Sequence, residues 1–253
     1  MRRALSWLLP AVALLTWEVL ARAGVIQATI LPAPSSVLVT AGRSLAAGEL
    51  QHDLAASLRR AALGFALGCT TGFALGVLVG LSRLADALLD RSLQMFRAVP
   101  FLAIMPLVIV WFGVGEWGKV FVVALATTFP LYLNTVLGIR QVDPKLVEMG
   151  RIFGLSPLQL VFSVFLPGAL ASILNGVRLA LTTAWLALVG AESLGASSGI
   201  GFLATNAREF LQTDVMVLVI VLYGLIGLGS DLLARWLERR LLVWHPAFAA
   251  KRP

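Results

Sequence analysis

The sequence predicts an all-α polytopic membrane protein with about six transmembrane helices. Of its 253 residues, 59% are hydrophobic and only 13% are charged, whereas about 25% are charged in a typical soluble domain. The mean hydropathy of +0.90 agrees with this. The charged and polar residues are too few to cover the surface of a soluble domain of this size. Lipid must therefore contact much of the surface. Stretches of about 20 mostly apolar residues, the length needed to cross a bilayer, occur at roughly 4–23, 61–81, 97–114, 119–139, 169–191 and 213–234.

The charge pattern excludes several other classes of protein. The chain carries a net charge of +7, but its Lys and Arg residues come in twos and threes between apolar stretches. This distribution is typical of the positive-inside rule and not of a nucleic-acid-binding patch. Cys69 is the single cysteine and lies in an apolar stretch, so no disulfide framework or cysteine metal site is predicted. His52 and His245 lie far apart without ligand spacing, so we predict no metal and no catalytic residues.

The basic residues also predict that both termini lie in the cytoplasm. This orientation places thirteen Lys and Arg residues in cytoplasmic segments and six outside, with Arg178 inside the fifth span. The cytoplasmic set is Arg2, Arg3, Arg83, Arg91, Arg97, Arg140, Lys145, Arg151, Arg235, Arg239, Arg240, Lys251 and Arg252.

The first apolar stretch has two interpretations. Arg2 and Arg3 precede an apolar run that ends in Ala21-Arg22-Ala23, as in a secretory signal peptide. Pro10 and Glu18 interrupt the run, which is also long for a signal peptide. These features favour a retained transmembrane helix.

An external connection is predicted over residues 25–60. The prolines of Leu31-Pro32-Ala33-Pro34 extend its start, and a serine can then cap a short surface helix that reaches about Leu50. We therefore expect three regions: the first helix and external loop at 1–60, a core at 61–235 with spans two to six and the segment 140–168, and an interfacial tail at 236–253 on the cytoplasmic face, in contact with lipid.

Glycines recur every fourth residue in the second span, which leaves one helix face almost without side chains. Such a face permits close approach of a neighbouring helix in lipid. Five glycines in register predict a buried helix contact and no chemistry: Gly64, Gly68, Gly72, Gly76 and Gly80.

The third span contains Pro100 and Pro106, each of which removes a helical hydrogen bond, so we expect a kinked or broken helix. Broken helices often line a transport pathway, although prolines are also common in ordinary membrane helices. Few charges lie well inside the spans, among them Glu18 and Arg178, with Glu192 just beyond the end of the fifth. This scarcity argues against a proton-coupled transporter.

The segment 140–168, between spans four and five, is more elaborate than a simple connection requires. Asp143-Pro144 predicts a helix start, and Gly154 predicts its left-handed end. Ser156-Pro157-Leu158-Gln159 then forms a capping box for a second helix, and Pro167 ends that helix or kinks its passage into span five. Two short helices at a sharp angle outside the bilayer suggest a docking surface.

This segment resembles the signature of the permeases of binding-protein-dependent ABC transporters. That signature is Glu-Ala-Ala, three residues, Gly, nine residues, Ile, one residue, Leu-Pro. The matching residues are Glu148, Gly154, Leu166 and Pro167, with Met149 and Gly150 in place of the alanines and Val164 in place of isoleucine.

Further matching stretches place the chain nearest the branch that imports sulfonates, taurine and nitrate. They are Leu31-Pro32-Ala33-Pro34-Ser35, Arg97-Ala98-Val99-Pro100, Trp111-Phe112-Gly113-Val114-Gly115-Glu116, Gly195-Ala196-Ser197-Ser198-Gly199-Ile200-Gly201 and Leu237-Glu238-Arg239-Arg240.

The resemblance implies a permease subunit in the bacterial inner membrane that moves a small, anionic solute into the cytoplasm. It implies a second, identical permease, two cytoplasmic ATPase subunits that use ATP and Mg²⁺, and a periplasmic or surface binding protein. The 140–168 loop would then be the coupling element that docks on the ATPase. This chain itself has no G-x-x-x-x-G-K-[ST] motif for binding nucleotide.

Residues 192–212 are predicted to form an outer loop, and the resemblance implies that it lies near the docked binding protein or the outer gate. Glu192 and Arg208 are candidate gate residues, although Arg208 also fits an ordinary solvated loop charge. Three alternatives remain open: a self-sufficient secondary transporter, an intramembrane enzyme and a purely structural subunit. The first needs ion ligands at the membrane midplane. The second needs paired catalytic groups, but both histidines fall outside the predicted spans.

Overall fold

A computed structural model describes residues 2–243, with side chains from Leu8 onward. Within this range the chain is helical and contains no strand. Residues 244–253, which include most of the predicted tail 236–253 and His245, lie outside the described residues. The helices are α1 (Arg2–Arg22), α2 (Pro34–Ala46), α3 (Glu49–Leu81), α4 (Arg83–Ala98), α5 (Phe101–Phe112), α6 (Glu116–Arg140), α7 (Pro144–Ile152), α8 (Pro157–Ser193), α9 (Ile200–Glu209) and α10 (Thr213–Leu241).

Four of these helices are long and apolar enough to cross a membrane: α3, α6, α8 and α10. Helices α4 and α5 meet at an angle of 84° and bring the number to five if the bent pair is one span. The 21-residue α1 is not among them. A polytopic helical membrane protein is therefore confirmed, while the count of six spans and the orientation stay predictions.

The third predicted span, at 97–114, is interrupted at Pro100. Val99 and Pro100 are extended, with ψ angles of 121° and 125°, so they separate α4 from α5. At 1.5 Å per residue, α5 is about 18 Å long and too short to cross a core of about 30 Å. The break expected at Pro100 is confirmed. Pro106 causes none, because it lies where the 3₁₀ turn Phe101–Ile104 becomes α-helix and a missing N–H costs little.

Two expected loops are helical. The external connection does not extend to residue 60, because α3 begins at Glu49, directly after Gly48, whose φ is +80°. No helix-breaking residue follows before Arg60, so the helix that contains the second span begins at Glu49, about three turns before the predicted span. The predicted short helix is present as α2, but the expected serine cap is wrong: the helix has Ala33 as its N-cap, no side-chain cap and Pro34 at its first position, and it ends at Ala46. The outer segment 192–212 contains α9, whose start is stabilised by side chains distant in sequence, described below.

The chain divides into two compact units. The first contains the described residues up to Leu58 together with Glu192–Ile226. Here Glu18 of α1 accepts hydrogen bonds from the backbone N–H and the hydroxyl of Ser35 at 3.0 and 2.8 Å. Thr40 of α2 donates to Asp214 of α10 at 2.6 Å. The short elements of this unit are therefore held by polar contacts.

The second unit contains Arg59–Ala191 and the described residues from Gly227 onward. Its core is formed by small and branched side chains of α3, α5, α6 and α8, including Val108, Val123, Ala187 and Leu188. The five glycines of α3 lie along α6. A Cβ atom at Gly68 would overlap the Ala124 carbonyl and the Thr127 hydroxyl. Only a face without side chains permits this distance between the two helices.

Candidate functional site

The loop from Arg140 to Gly168 is shaped by local caps. Asp143 accepts a hydrogen bond from the Lys145 N–H at 2.9 Å, with Pro144 at the first helical position of α7. Ser156 and Gln159 form the reciprocal capping box, at 3.3 and 2.8 Å. The predicted caps are therefore confirmed. Because they bond within a few residues, they could be recognised from sequence.

The turn between α7 and α8 depends on Gly154. Its φ is +76°, a conformation that residues with a Cβ rarely adopt. The N–H groups of Gly154 and Leu155 bond back to the carbonyls of Arg151 and Gly150, at 3.0 Å each, in the manner of a Schellman end. The chain thus reverses sharply, and α7 folds back against the start of α8.

Gly150 explains one departure from the family signature. The residue is buried, and a Cβ atom there would lie 2.6 Å from Leu160 Cδ2 and 3.2 Å from Leu155 Cδ1. The alanine that is usual at this position would therefore collide with Leu160 unless the leucine moved. Glycine allows α7 to approach α8 closely here.

The opposite side of the loop is apolar and exposed. Met149 is 52% exposed, Ile152 83% and Phe153 78%, while Leu158 is also exposed on the first turn of α8. Glu148 is exposed too, and within residues 2–243 it makes no hydrogen bond or ion pair. It faces a cavity of about 560 Å³ that Arg140 and Arg151 also line.

Pro167 does not end a helix, contrary to one of the two expectations. A π turn at Val161–Phe165 joins the start of α8 to its long apolar part, and the Leu166 N–H donates to the Val161 carbonyl. The wider turn accommodates the proline, which has no N–H to donate. The second helix of the loop is consequently not short, since α8 continues to Ser193. Leu166 packs in a core cluster with Ile173, and Pro167 is exposed.

The gate candidates fall in different units. Pro100 and Pro106 belong to the second unit, while Glu192 and Arg208 belong to the first. Arg208 is exposed in the last turn of α9 and makes no hydrogen bond or ion pair in the described part of the chain. Glu192, by contrast, is 1% exposed.

Glu192 organises the start of α9. Its carboxylate accepts hydrogen bonds from the Ser57 hydroxyl at 2.8 Å and from the Gly201 N–H at 2.9 Å. Ser57 in turn accepts from the Ile200 N–H, and Asp53 accepts from the Gly199 N–H, both at 2.8 Å. These side chains satisfy the N–H groups that a helix start leaves without partners. A Cβ at Gly199, whose φ is +114°, would meet the Glu192 carboxylate.

Sequence reasoning missed Asp53 and Ser57. Both were assigned to a loop, and their partners lie about 140 positions away in the sequence. Their spacing of four residues places them on one face of α3, but only a correct start for that helix would have revealed it. No three His, Cys, Asp or Glu side chains come together to hold a metal ion within residues 2–243.

The family follows from a match over most of the chain. Residues 72–243, which include the whole loop, match the model of the binding-protein-dependent transport system inner membrane component. The chain belongs to this family. It is a permease subunit of an ABC importer in the inner membrane, and ATP hydrolysis is the task of its partner ATPase.

Curated relatives extend the similarity to almost the full length of the permease. It is 50% identical to the aliphatic sulfonates transport permease protein SsuC of Escherichia coli, over 98% of this chain and 95% of the relative. It is 35% identical to the taurine transport system permease protein TauC of the same organism, over 93% and 87%. The sulfonate, taurine and nitrate branch expected from the sequence is therefore confirmed.

Solved structures give the fold. The permease matches a chain of the MetNI methionine ABC transporter, in an inward-facing conformation, with a TM-score of 0.58 and 21% identity. The match covers 73% of this chain and 94% of that one. It also matches a chain of an amino acid ABC transporter with a TM-score of 0.60 and 18% identity. At these identities the likeness is one of fold.

Proposed function

We propose that this permease imports small organic sulfonates. The observation that carries the proposal is the 50% identity to the aliphatic sulfonate permease over nearly the full length of both chains. The taurine permease, whose named solute is also a sulfonate, is a more distant relative. Both named solutes carry a permanently negative sulfonate group on an aliphatic carbon chain.

The assembly we propose contains two copies of this chain, two ATPase subunits that bind ATP and Mg²⁺, and one binding protein. Membership of the family implies an ATPase and a binding protein as partners. A tagged permease isolated from its own membrane in mild detergent should bring down one ATPase per permease. Isolation of the permease alone, without ATP-dependent activity, would contradict the assembly.

We also propose that the loop 140–168 couples the permease to the ATPase. Its exposed apolar residues, among them Ile152 and Phe153, form a surface suited to a protein partner. Glu148 stands beside this surface with its carboxylate available, and Gly154 sets the turn that presents it. Met149 contributes to the apolar face, Gly150 lets α7 approach α8 closely, and Leu166, beside Pro167, packs in the core where the loop passes into the long part of α8.

The coupling proposal is tested with the double variant Glu148→Ala/Gly154→Val. Valine at residue 154 cannot easily adopt the left-handed conformation, so the turn should open and the docking surface should be lost. In proteoliposomes holding the whole complex, we expect uptake and the ATPase stimulation by loaded binding protein to be abolished.

Two matched variants control this experiment. Gly154→Asn keeps access to the left-handed region and should retain most activity. Glu238→Ala removes a carboxylate from α10 and should leave coupling unchanged. If the double variant still transports and stimulates the ATPase, the loop is not the coupling element.

A further inference from the structure

A cavity of about 420 Å³ lies within the second unit at the break between α4 and α5. Its wall includes Arg97 and Val99 on one side of the break and Phe101 on the other, with residues of α6 and α8 completing it. The volume falls in the range of about 300–1,000 Å³ that is usual for small-molecule sites. Discontinuous helices frequently form the substrate sites of transporters.

Most of the wall is apolar. Phe101, Phe129, Leu133 and Leu179 contribute aromatic and branched surface. Such surface favours a ligand that carries a hydrocarbon portion, because burying apolar area stabilises binding.

The polar groups in the wall are largely occupied, with one exception. The hydroxyls of Thr182 and Thr183 donate to the carbonyls of Arg178 and Leu179, at 3.2 and 2.9 Å. Asn134 donates to the Pro130 carbonyl at 2.8 Å and accepts from Asn175 at 2.9 Å.

Arg97 is the exception. It is the only charged residue that lines this cavity, and it makes no hydrogen bond or ion pair among residues 2–243. Its guanidinium therefore keeps all of its N–H donors. The arrangement is one free cation beside an apolar chamber.

This combination specifies the ligand class. A guanidinium binds a sulfonate or carboxylate with two parallel hydrogen bonds. An inorganic anion would satisfy Arg97 but leave the apolar wall uncovered, while a neutral hydrocarbon would leave the cation unpaired. The charge and the wall together fit an organic anion with a short apolar chain.

We infer that this cavity is a solute-binding site within the permease, in which Arg97 binds the anionic head group and the α6 and α8 wall contacts the alkyl chain. The inference rests on the proposed import of sulfonates. It adds a site on this chain that selects solutes after the binding protein has released them.

The first test replaces Arg97 in the complete complex, reconstituted in proteoliposomes with binding protein and radiolabelled pentanesulfonate. Arg97→Gln should lower uptake by about tenfold or more, since charge-assisted hydrogen bonds are roughly twice as strong as neutral ones. Arg97→Lys should restore part of the uptake. Arg91→Gln is the matched control on the same helix, outside the cavity wall, and should transport normally.

The second test does not depend on Arg97. Leu179→Ala removes side-chain atoms from the wall and enlarges the cavity, so uptake should shift in favour of longer alkanesulfonates. The shift is measured by competition with alkanesulfonates from ethanesulfonate to octanesulfonate. If Arg97→Gln fails to assemble with the ATPase, this shift in chain-length preference decides the question.

The outcomes separate the site from the function. Wild-type uptake and an unchanged chain-length preference in both variants would overturn the cavity assignment, as expected if a lipid chain or the second permease fills it. Failure of the unaltered complex to import any sulfonate would instead overturn the proposed solute. Equal competition by inorganic sulfate and pentanesulfonate would overturn the role of the apolar wall.

Discussion

At the residue scale, the first unit is organised by one buried carboxylate. Glu192 accepts hydrogen bonds from Ser57 of α3 and from the start of α9, so one side chain joins these two sequence-distant segments. A carboxyl group this deeply buried is tolerated because hydrogen-bond donors surround it. The segment predicted as an outer loop thus contains α9, and Glu192 stabilises the start of that helix.

Replacing Glu192 with glutamine should loosen the start of α9. One amide oxygen cannot accept all the hydrogen bonds of a carboxylate, and the amide hydrogens would face other donors. A buried donor left without a partner costs about 1–3 kcal/mol. We expect a lower melting temperature of the complex and faster amide hydrogen exchange over residues 194–201.

Glu209→Gln is the matched control, since Glu209 is exposed at the end of the same helix. It should change neither measurement. Unchanged hydrogen exchange in Glu192→Gln would show that the carboxylate does not hold this segment.

At the element scale, local signals could be predicted and distant ones could not. The capping side chains of α7 and α8 bond to residues within four positions. The caps can therefore be predicted from the residue types at Asp143, Ser156 and Gln159. The break at Pro100 is equally local. The start of α9 was missed because its stabilising partners come from α3. Likewise, α8 continues through Pro167 because of the π turn at Val161–Phe165, and no residue type specifies such a turn.

The contact between α3 and α6 makes a sharp prediction about glycine. Gly68→Ala would place a methyl group on the Ala124 carbonyl, so α3 would have to move away from α6. Overpacking of this kind costs about 1–3 kcal/mol. We expect a lower melting temperature of the purified complex in detergent.

The same substitution at Gly229 of α10 serves as its comparison. A Cβ there meets nothing within 4 Å, so alanine should be neutral or slightly stabilising through helix propensity. Equal melting temperatures for the Gly68→Ala and Gly229→Ala complexes would contradict the close contact.

At the scale of the whole molecule, the sequence was informative about class and the structure about its parts. Apolar stretches and the loop signature identify a permease, because both are local patterns that can be recognised along the chain. The Arg97 cavity was not foreseen, since it combines residues of α4, α5, α6 and α8 that only folding brings together.

Transport should require the ATPase. In proteoliposomes that contain this chain alone, an ion gradient should drive no uptake of pentanesulfonate, because the permease belongs to a family of ATP-driven importers. Uptake should start when the ATPase subunits and the binding protein are added and ATP is supplied on the side of the membrane that holds the ATPase. Gradient-driven uptake by the chain alone would support a secondary transporter.

The π turn at Val161–Phe165 also bears on how chain length can change in this permease during evolution. A π turn holds one residue more than an α turn within the same helix. Loss of one residue there would close the turn to an ordinary α-helix, and the segments on either side would keep their facing. Loss of one residue elsewhere in α8 would rotate everything beyond it by about 100°. Single-residue length differences that preserve packing are therefore expected at this turn, where the loop 140–168 passes into the long part of α8.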